Sequence, residues 1–129
     1  MQIKLTSVTV ENQDDALRFY TGKLGFTKKA DISMGPYRWL TVSSPDGLEG
    51  VELLLEAAAF PPSRVYQKAR YDAGIPSSAF FTGDIANEFK RLKDAGVSFR
   101  SEPKNMGPVI AAVFDDTCGN LINLVQPAA

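Results

Sequence analysis

One carboxylate stands where chemistry could be done. Glu52 lies in the run Val51-Glu52-Leu53-Leu54-Leu55-Glu56, whose alternation sets Glu52, Leu54 and Glu56 on one side of a strand and Val51, Leu53 and Leu55 on the other. Among apolar neighbours such a carboxylate can serve as a general base beside a carbonyl, or can anchor a cationic ligand. Its plain structural role would be an ion pair with an Arg or Lys from another strand. Trp39 shares a strand face with Tyr37 and Thr41, which suits either a wall for a flat ligand or a place in the core or an interface. Ser7, Thr9, Ser77 and Asn123 are small polar groups able to orient a ligand by hydrogen bonding, or simply solvated strand positions. Ala111 and Val113 follow Trp39 and Thr41 by 72 residues (111 − 39 = 72) and would make a smaller, smoother wall. Leu54 completes this candidate binding set.

The absence of histidine limits what these groups can do. Its count is zero, so Ser-His-Asp triads, Cys-His dyads and imidazole-ligated metal sites are excluded. Cys118 is the single cysteine, so no disulfide can form within the chain, and no imidazole is present to activate the thiol. It falls in Asp115-Asp116-Thr117-Cys118-Gly119-Asn120, which reads as a turn held by side-chain to backbone bonds more readily than as an oxygen-ligand metal loop. Lys and Arg total 14 against 15 Asp and Glu, with no basic run and no interleaved aromatics, so the footprint of a nucleic-acid binder is missing and a small neutral or cationic molecule is the expected partner. Met1-Gln2-Ile3-Lys4-Leu5 enters an alternating strand without a hydrophobic leader core, and no apolar run approaches the roughly 20 residues a membrane span needs. A cytoplasmic location and no membrane association are expected.

The elements that would carry these residues occur twice. Met34-Gly35-Pro36 returns as Met106-Gly107-Pro108 (106 − 34 = 72), Leu24-Gly25-Phe26-Thr27 aligns with Ala95-Gly96-Val97-Ser98, and the turn Pro45-Asp46-Gly47 aligns with Thr117-Cys118-Gly119. In the first copy Lys4 to Val10 predicts a strand. Asn12 predicts a helix cap, with Ala16, Leu17, Tyr20 and Leu24 as the buried stripe and Gly22 and Gly25 at its end. Strands follow near Thr27 to Ser33, Tyr37 to Ser43 and Gly50 to Glu56. In the second, Ser77 to Thr82 predicts a strand, Asp84 a cap with Ile85, Phe89 and Leu92 behind it, and strands are expected near Val97 to Ser101, Val109 to Phe114 and Asn120 to Gln126. The fold class is therefore α+β, built from two βαβββ modules. One domain spans 1–129, with module one at about 1–56, a linker at about 57–76 and module two at about 77–126. In that linker Ser63 can cap a short helix through Val65, Tyr66 and Ala69, while Tyr66, Lys68, Arg70 and Tyr71 form either a gate or an amphipathic connector with solvated charges. By their offset of 71 residues, Glu52 and Asn123 are read as equivalent positions of the two copies.

Ser7-Val8-Thr9-Val10 followed by Asp14-Asp15-Ala16-Leu17-Arg18-Phe19-Tyr20, then Lys23-Leu24-Gly25-Phe26, and the closing Phe114-Asp115-Asp116 to Gly119-Asn120-Leu121-Ile122, resemble the vicinal oxygen chelate superfamily of glyoxalase I, extradiol dioxygenases and bleomycin-resistance proteins. The resemblance covers nearly the whole chain. It implies an open, curled mixed sheet in each module and a homodimer with two clefts. Metal-dependent members hold an ion with a histidine on the first strand and a carboxylate on the last strand of a module. Carried onto this sequence, those positions are Ser7 and Glu52 and, to within one residue, Ser77 and Asn123. Only Glu52 keeps a ligand type, so no metal and no other cofactor are expected and extradiol chemistry is ruled out as a self-sufficient activity. The function expected is binding of a small, largely apolar or cationic molecule in a cleft at the dimer interface. Two alternatives stand beside it: a metal-independent lyase or isomerase of glyoxalase type using Glu52 as base, and a non-catalytic interaction module.

Overall fold

A computed structural model describes residues 1–128. The chain divides into two compact units that meet at Tyr66 and Gln67. The first holds β1 (Leu5–Val10), α1 (Gln13–Gly22), β2 (Thr27–Met34), β3 (Tyr37–Ser43) and β4 (Glu52–Ala57). Helix α2 (Pro61–Asp72) carries the chain onward to β5 (Ser78–Phe81), α3 (Ile85–Asp94), β6 (Lys104–Asn105), β7 (Val109–Asp115) and β8 (Leu121–Pro127). Each unit forms a four-stranded mixed sheet, ordered β1-β4-β3-β2 and β5-β8-β7-β6. The outer pairs β1–β4 and β5–β8 are parallel and the remaining pairs antiparallel, so the predicted βαβββ modules and their open sheets are what the chain adopts.

Each helix covers one face of its own sheet. Asn12 caps α1 by accepting from the Asp15 amide, with Asp14 and Asp15 in the first turn where the helix dipole favours negative charge. Ala16, Phe19, Tyr20 and Leu24 are buried, as are Val8, Val10, Leu40, Val42, Leu53 and Leu55 of the sheet. Phe19 takes the place that the sequence reading gave to Leu17, which is half-buried. Asp84 caps α3 through the Asn87 amide, and Ile85 and Leu92 are buried with Ala112, Phe114, Ile122 and Leu124. Phe99 links this core, its ring 4.6 Å from that of Phe89 and 5.6 Å from that of Phe114.

Two expectations are corrected. Val97 to Ser101 forms no strand: Phe99 makes an isolated bridge to Phe114, and the ladder resumes only at Lys104 and Asn105. Pro103, which has no amide hydrogen to donate, lies in the break. The linker helix begins at Pro61, not at Ser63, whose amide donates to Phe60 O; proline suits a first helical position because its missing N–H would be unsatisfied there. The repeated Met-Gly-Pro triplets both turn hairpins, with Gly35 at φ 65 and Gly107 at φ 94, a left-handed backbone that a side chain would strain. Among the described residues no helix is long and apolar enough to cross a membrane.

Candidate functional site

The face of the first sheet turned away from α1 carries most of the candidate residues. Strand pairing sets Leu5 beside Glu52, Ser7 beside Leu54 and Thr9 beside Glu56, while Thr41 lies opposite Leu54, Ala30 opposite Thr41, Ile32 opposite Trp39 and Met34 opposite Tyr37. Paired residues project to the same side. Thr9, Thr41, Trp39, Glu52 and Leu54 therefore share one surface, joined by Ser7, Leu5, Ile32 and Glu56.

Thr41 organises its centre. The side chain is fully buried. Its hydroxyl donates to Glu52 Oε1 and accepts from the Ala30 amide at 3.1 Å, at the point where the β2–β3 register shifts. One hydroxyl thus holds the carboxylate and satisfies a backbone donor that the irregular ladder leaves over. A hydrogen bond to a charged group contributes about 1.5–3 kcal/mol. Among the described residues Glu52 forms no ion pair, so the Arg or Lys partner of the plain structural reading is absent there and a neutral donor takes its place.

Beyond Thr41, on the side away from Glu52, the surface is apolar and open. Trp39 is 36% exposed, Tyr37 43%, and Ile32 and Met34 59% each. At this end the β3–β4 ladder stops, pairing only Thr41 with Leu54 and Val42 with Leu53. Gln13 replaces it from the first turn of α1. Its Nε2 donates to Arg38 O at 2.7 Å and Leu55 O at 2.9 Å, and its Oε1 accepts from the Arg38 amide at 3.0 Å. A side-chain amide here supplies the hydrogen bonds that a neighbouring strand would, and Trp39 and Glu56 stand on either side of the parted strands. Arg38 itself bonds Asp31 through Nε at 2.9 Å and Nη2 at 3.1 Å, and also bonds Asp14. The Asp31 carboxyl is held below its usual range, chiefly by the hydrogen bond from Arg38, and that guanidinium is held the more firmly protonated.

The second sheet shows what the duplication did not keep. The helix caps Asn12 and Asp84 and the turns at Gly35 and Gly107 fix an offset of 72 residues, but the β3–β4 loop is three residues longer than the β7–β8 loop, at 44–51 against 116–120. Structurally, Leu121 is therefore the counterpart of Glu52, and Asn123 that of Leu54, as their pairing with Val113 and Thr41 requires. The equivalence of Glu52 with Asn123 read from the sequence is two residues out of register. Likewise Ala79, beside Asn123, corresponds to Ser7, and Ser77 corresponds to Leu5. Ser77 precedes β5 and donates its hydroxyl to Asn120 Oδ1 at 3.1 Å. Ala111, Val113 and Asn123 do lie on one face with Leu121 and Val125, a surface with no ionisable group among those residues. Asp115, paired with Leu121, stands at the end of this face, and at its middle Asn123 Oδ1 is buried and accepts no hydrogen bond among the described residues.

The family model described as the Glyoxalase/Bleomycin resistance protein/Dioxygenase superfamily matches residues 2–124. The chain belongs to this superfamily. It is 53% identical to the uncharacterized protein YurT of Bacillus subtilis (strain 168) over 98% of its length and 99% of that protein's. Among solved structures it resembles UcmS2 at a TM-score of 0.83 and 29% identity, covering 97% of both chains. It also resembles TnmS3, an antibiotic binding protein from Streptomyces sp. CB03234, at a TM-score of 0.78 and 30% identity, covering 99% of this chain and 97% of the other.

Metal-dependent chemistry of the superfamily does not fit these residues. With the register known, the first-strand residue beside Glu52 is Leu5 and the corresponding pair in the second unit is Ser77 and Leu121. One carboxylate, one hydroxyl already engaged and two hydrocarbon side chains do not make a ligand set for a transition ion. Among the described residues no three of His, Cys, Asp or Glu gather as a metal site. The acidic turn is structural: buried Asp116 accepts from the amides of Cys118 at 2.7 Å and Asn120 at 3.0 Å and from Asn120 Nδ2 at 2.9 Å. Cys118 is buried beneath it. In the linker helix Lys68 pairs with Asp72 at 2.6 Å, Arg70 bonds Pro76 O, and Tyr71 donates to Asp115 with Arg100 above its ring at 5.2 Å. Gln67, not foreseen, anchors the helix to Cys118 O at 3.3 Å and Asn120 Oδ1 at 3.2 Å.

Sequence reasoning passed over Gln13 and Ile32. Nothing in a glutamine at a helix start distinguishes a sheet wedge from a solvated side chain. Ile32 was recoverable, since a tight Met34-Gly35-Pro36 turn fixes the hairpin register that sets it opposite Trp39.

Proposed function

We propose that the protein binds a small, largely apolar or cationic molecule without a metal, using the face that carries Glu52, Thr41, Trp39, Leu54, Ser7 and Thr9, in a cytoplasmic homodimer whose cleft includes this face. The observation that carries the reading is one buried hydroxyl, Thr41, that orients the Glu52 carboxylate on one side and has the exposed Trp39 two residues along its strand on the other. That combination gives one directional polar contact on an otherwise apolar wall, the usual composition of a small-molecule site. Similarity to an antibiotic binding protein of the same superfamily supports it. On the second sheet the Asn123 oxygen, which accepts no hydrogen bond among the described residues, is a further acceptor for a ligand donor, since such a group left alone costs about 1–3 kcal/mol; Ala111 and Val113 lie on its face, with Ser77 at the margin.

Trp39 is the chain's single tryptophan, so its emission reports on this face directly. Titration with a panel of flat aromatic compounds should quench it saturably, with the ligand recovered unchanged. No quenching by any member, and no rise in melting temperature, would refute the reading. Native mass spectrometry of the purified protein should give twice the chain mass, and a monomer would remove the dimer from the proposal.

A second reading rests on the same hydrogen bond. Thr41 fixes Oε1 of Glu52 and leaves Oε2 to face a ligand, the arrangement a general base requires for proton removal next to a carbonyl. On this reading the protein is a lyase or isomerase, and Glu52→Gln abolishes turnover while binding persists. Full turnover in that variant would exclude it.

A further inference from the structure

The charge distribution on the first sheet narrows the ligand class, on the condition that this face is the binding site. Glu52 and Glu56 are four residues apart on one strand and project to the same side, roughly 13 Å from each other, with Leu54 between them. Neither forms an ion pair among the described residues. Two cations of this sheet are committed elsewhere, and Lys4 and Lys29 form no ion pair with either carboxylate among the described residues. Arg38 alternates with Trp39 onto the helix side and is bonded to Asp31 and Asp14, and Lys28 pairs with Asp31 at 3.4 Å. The face is thus negative at two points and carries an aromatic ring whose π surface also attracts cations. Continuing the Thr41–Leu54 register sets Trp39 across from Glu56, on the two sides of the parting that Gln13 maintains.

The geometry points to a ligand with a flat apolar body bearing a protonated amine, the ring system lying against Trp39, Ile32 and Leu54 and the ammonium hydrogens donated to Glu56 or Glu52. Glu56 is the specificity residue on this view. Thr41 takes one lone pair of Glu52, whereas no side chain among the described residues restrains the Glu56 carboxylate, so Glu56 is free to swing toward a cation at the mouth of the parted strands. Anionic ligands of the same shape are repelled by both carboxylates.

Three acridines of nearly one shape test this. At pH 7 and low salt, 9-aminoacridine is cationic, acridine is neutral and acridine-9-carboxylate is anionic. Quenching of Trp39, checked by calorimetry, should give a dissociation constant for 9-aminoacridine about tenfold below that of acridine, equal to about 1.4 kcal/mol, with the carboxylate weakest. The preference for the cation should shrink as salt is raised, because the contacts are partly exposed. Glu56→Gln should bring the ratio of the two constants to about threefold or less, and Glu56→Asp should restore part of it. If acridine and its carboxylate quench Trp39 as strongly as the cation, or Glu56→Gln leaves the ratio unchanged, the assignment of a cationic ligand is overturned while small-molecule binding stands. If none of the three quenches Trp39 while other flat aromatics do, the cationic assignment falls alone; if no flat aromatic quenches it or raises the melting temperature, the binding reading falls with it.

Discussion

The two sheets share a topology and differ in how each is fastened to its helix. In the first unit the fastening runs from helix to sheet, with the Gln13 amide entering the ladder between Arg38 and Leu55. In the second it runs the other way, because Ile85 stands at the equivalent helix position and the Gln126 side chain reaches back from β8 to accept from the Ile85 amide at 2.7 Å. The consequence appears in the strands. β7 and β8 pair along their whole length, Val109 to Asp115 against Pro127 to Leu121, whereas β3 and β4 pair over two positions and then part. The parted sheet is the one that carries Thr41, Glu52 and Trp39, and the zipped sheet has Val113, Leu121 and Ala111 at those places. One copy became a regular scaffold and the other kept an opening beside a charged group.

The largest effect is expected where that comparison is broken at its polar centre. Thr41→Val gives the first sheet the residue of the second. It removes the donor to Glu52 and the acceptor for the Ala30 amide, so unfolding by urea should show a loss of about 2.5–4 kcal/mol, made up of about 1.5–3 for the charged bond and about 1 for the neutral one. Adding Glu52→Leu completes the imitation. The double variant should regain the charged part and sit about 1 kcal/mol below the parent, because removing both partners leaves no stranded carboxylate. Equal stability of the single and double variants would mean that Thr41 serves the Ala30 bulge alone.

A somewhat smaller effect is expected at the fastenings. Gln13→Ala removes three hydrogen bonds, two of them to carbonyls in the parted ladder, and should cost about 2–3 kcal/mol at about 1 kcal/mol each. Gln126→Ala removes one bond to a helix end whose cap, Asp84, remains, and should cost about 1 kcal/mol. If Gln126 proves the costlier of the two, the contrast between the units does not reside in these amides. A finer test lies in hydrogen exchange: Gln13→Ala should speed exchange of the Arg38 amide, which Gln13 Oε1 accepts, more than that of the Val42 region of the ladder.

These comparisons separate what the sequence could reveal from what it could not. Turns were legible because they depend on single residues: Gly35 and Gly107 occupy left-handed backbone, and their common offset exposed the duplication. Caps were legible for the same reason, at Asn12 and Asp84. Faces were legible from alternation, which correctly placed Thr41, Trp39, Glu52 and Leu54 on one side. Register between strands was not, because it depends on loop length, and three extra residues between β3 and β4 moved the partner of Glu52 from Asn123 to Leu121. The broken second strand of unit two was hidden because Val97 to Ser101 alternates well enough for a strand, and only Phe99 finds a bridge. Long-range side-chain roles, such as Gln13 in the sheet or Gln67 on Asn120, leave no local pattern.

The smallest expected effect concerns the ion pairs that tie β2, β3 and α1 together in the first unit alone, for the counterpart of Arg38 is Ile110, which bears no charge. Asp31 accepts from Arg38 and its carboxyl is lowered from the usual value of 3.8, with the Arg38 hydrogen bond as the main cause and Lys28 adding to it. A carboxyl lowered in the folded state binds protons less readily than in the unfolded chain, so folding is favoured wherever the unfolded carboxyl is ionised. The contribution is therefore complete above the ordinary aspartate range and disappears as acid protonates Asp31 in the fold. Asp31→Asn should be slightly less stable than the parent at pH 6, and the two unfolding curves should converge in acid, once the lowered Asp31 carboxyl is itself protonated in the fold. Because these groups are exposed, high salt should also narrow the gap at pH 6. A gap that persists undiminished in acid would show that Asp31 acts through shape or neutral hydrogen bonding, and the electrostatic tie would then not distinguish the first unit from the second.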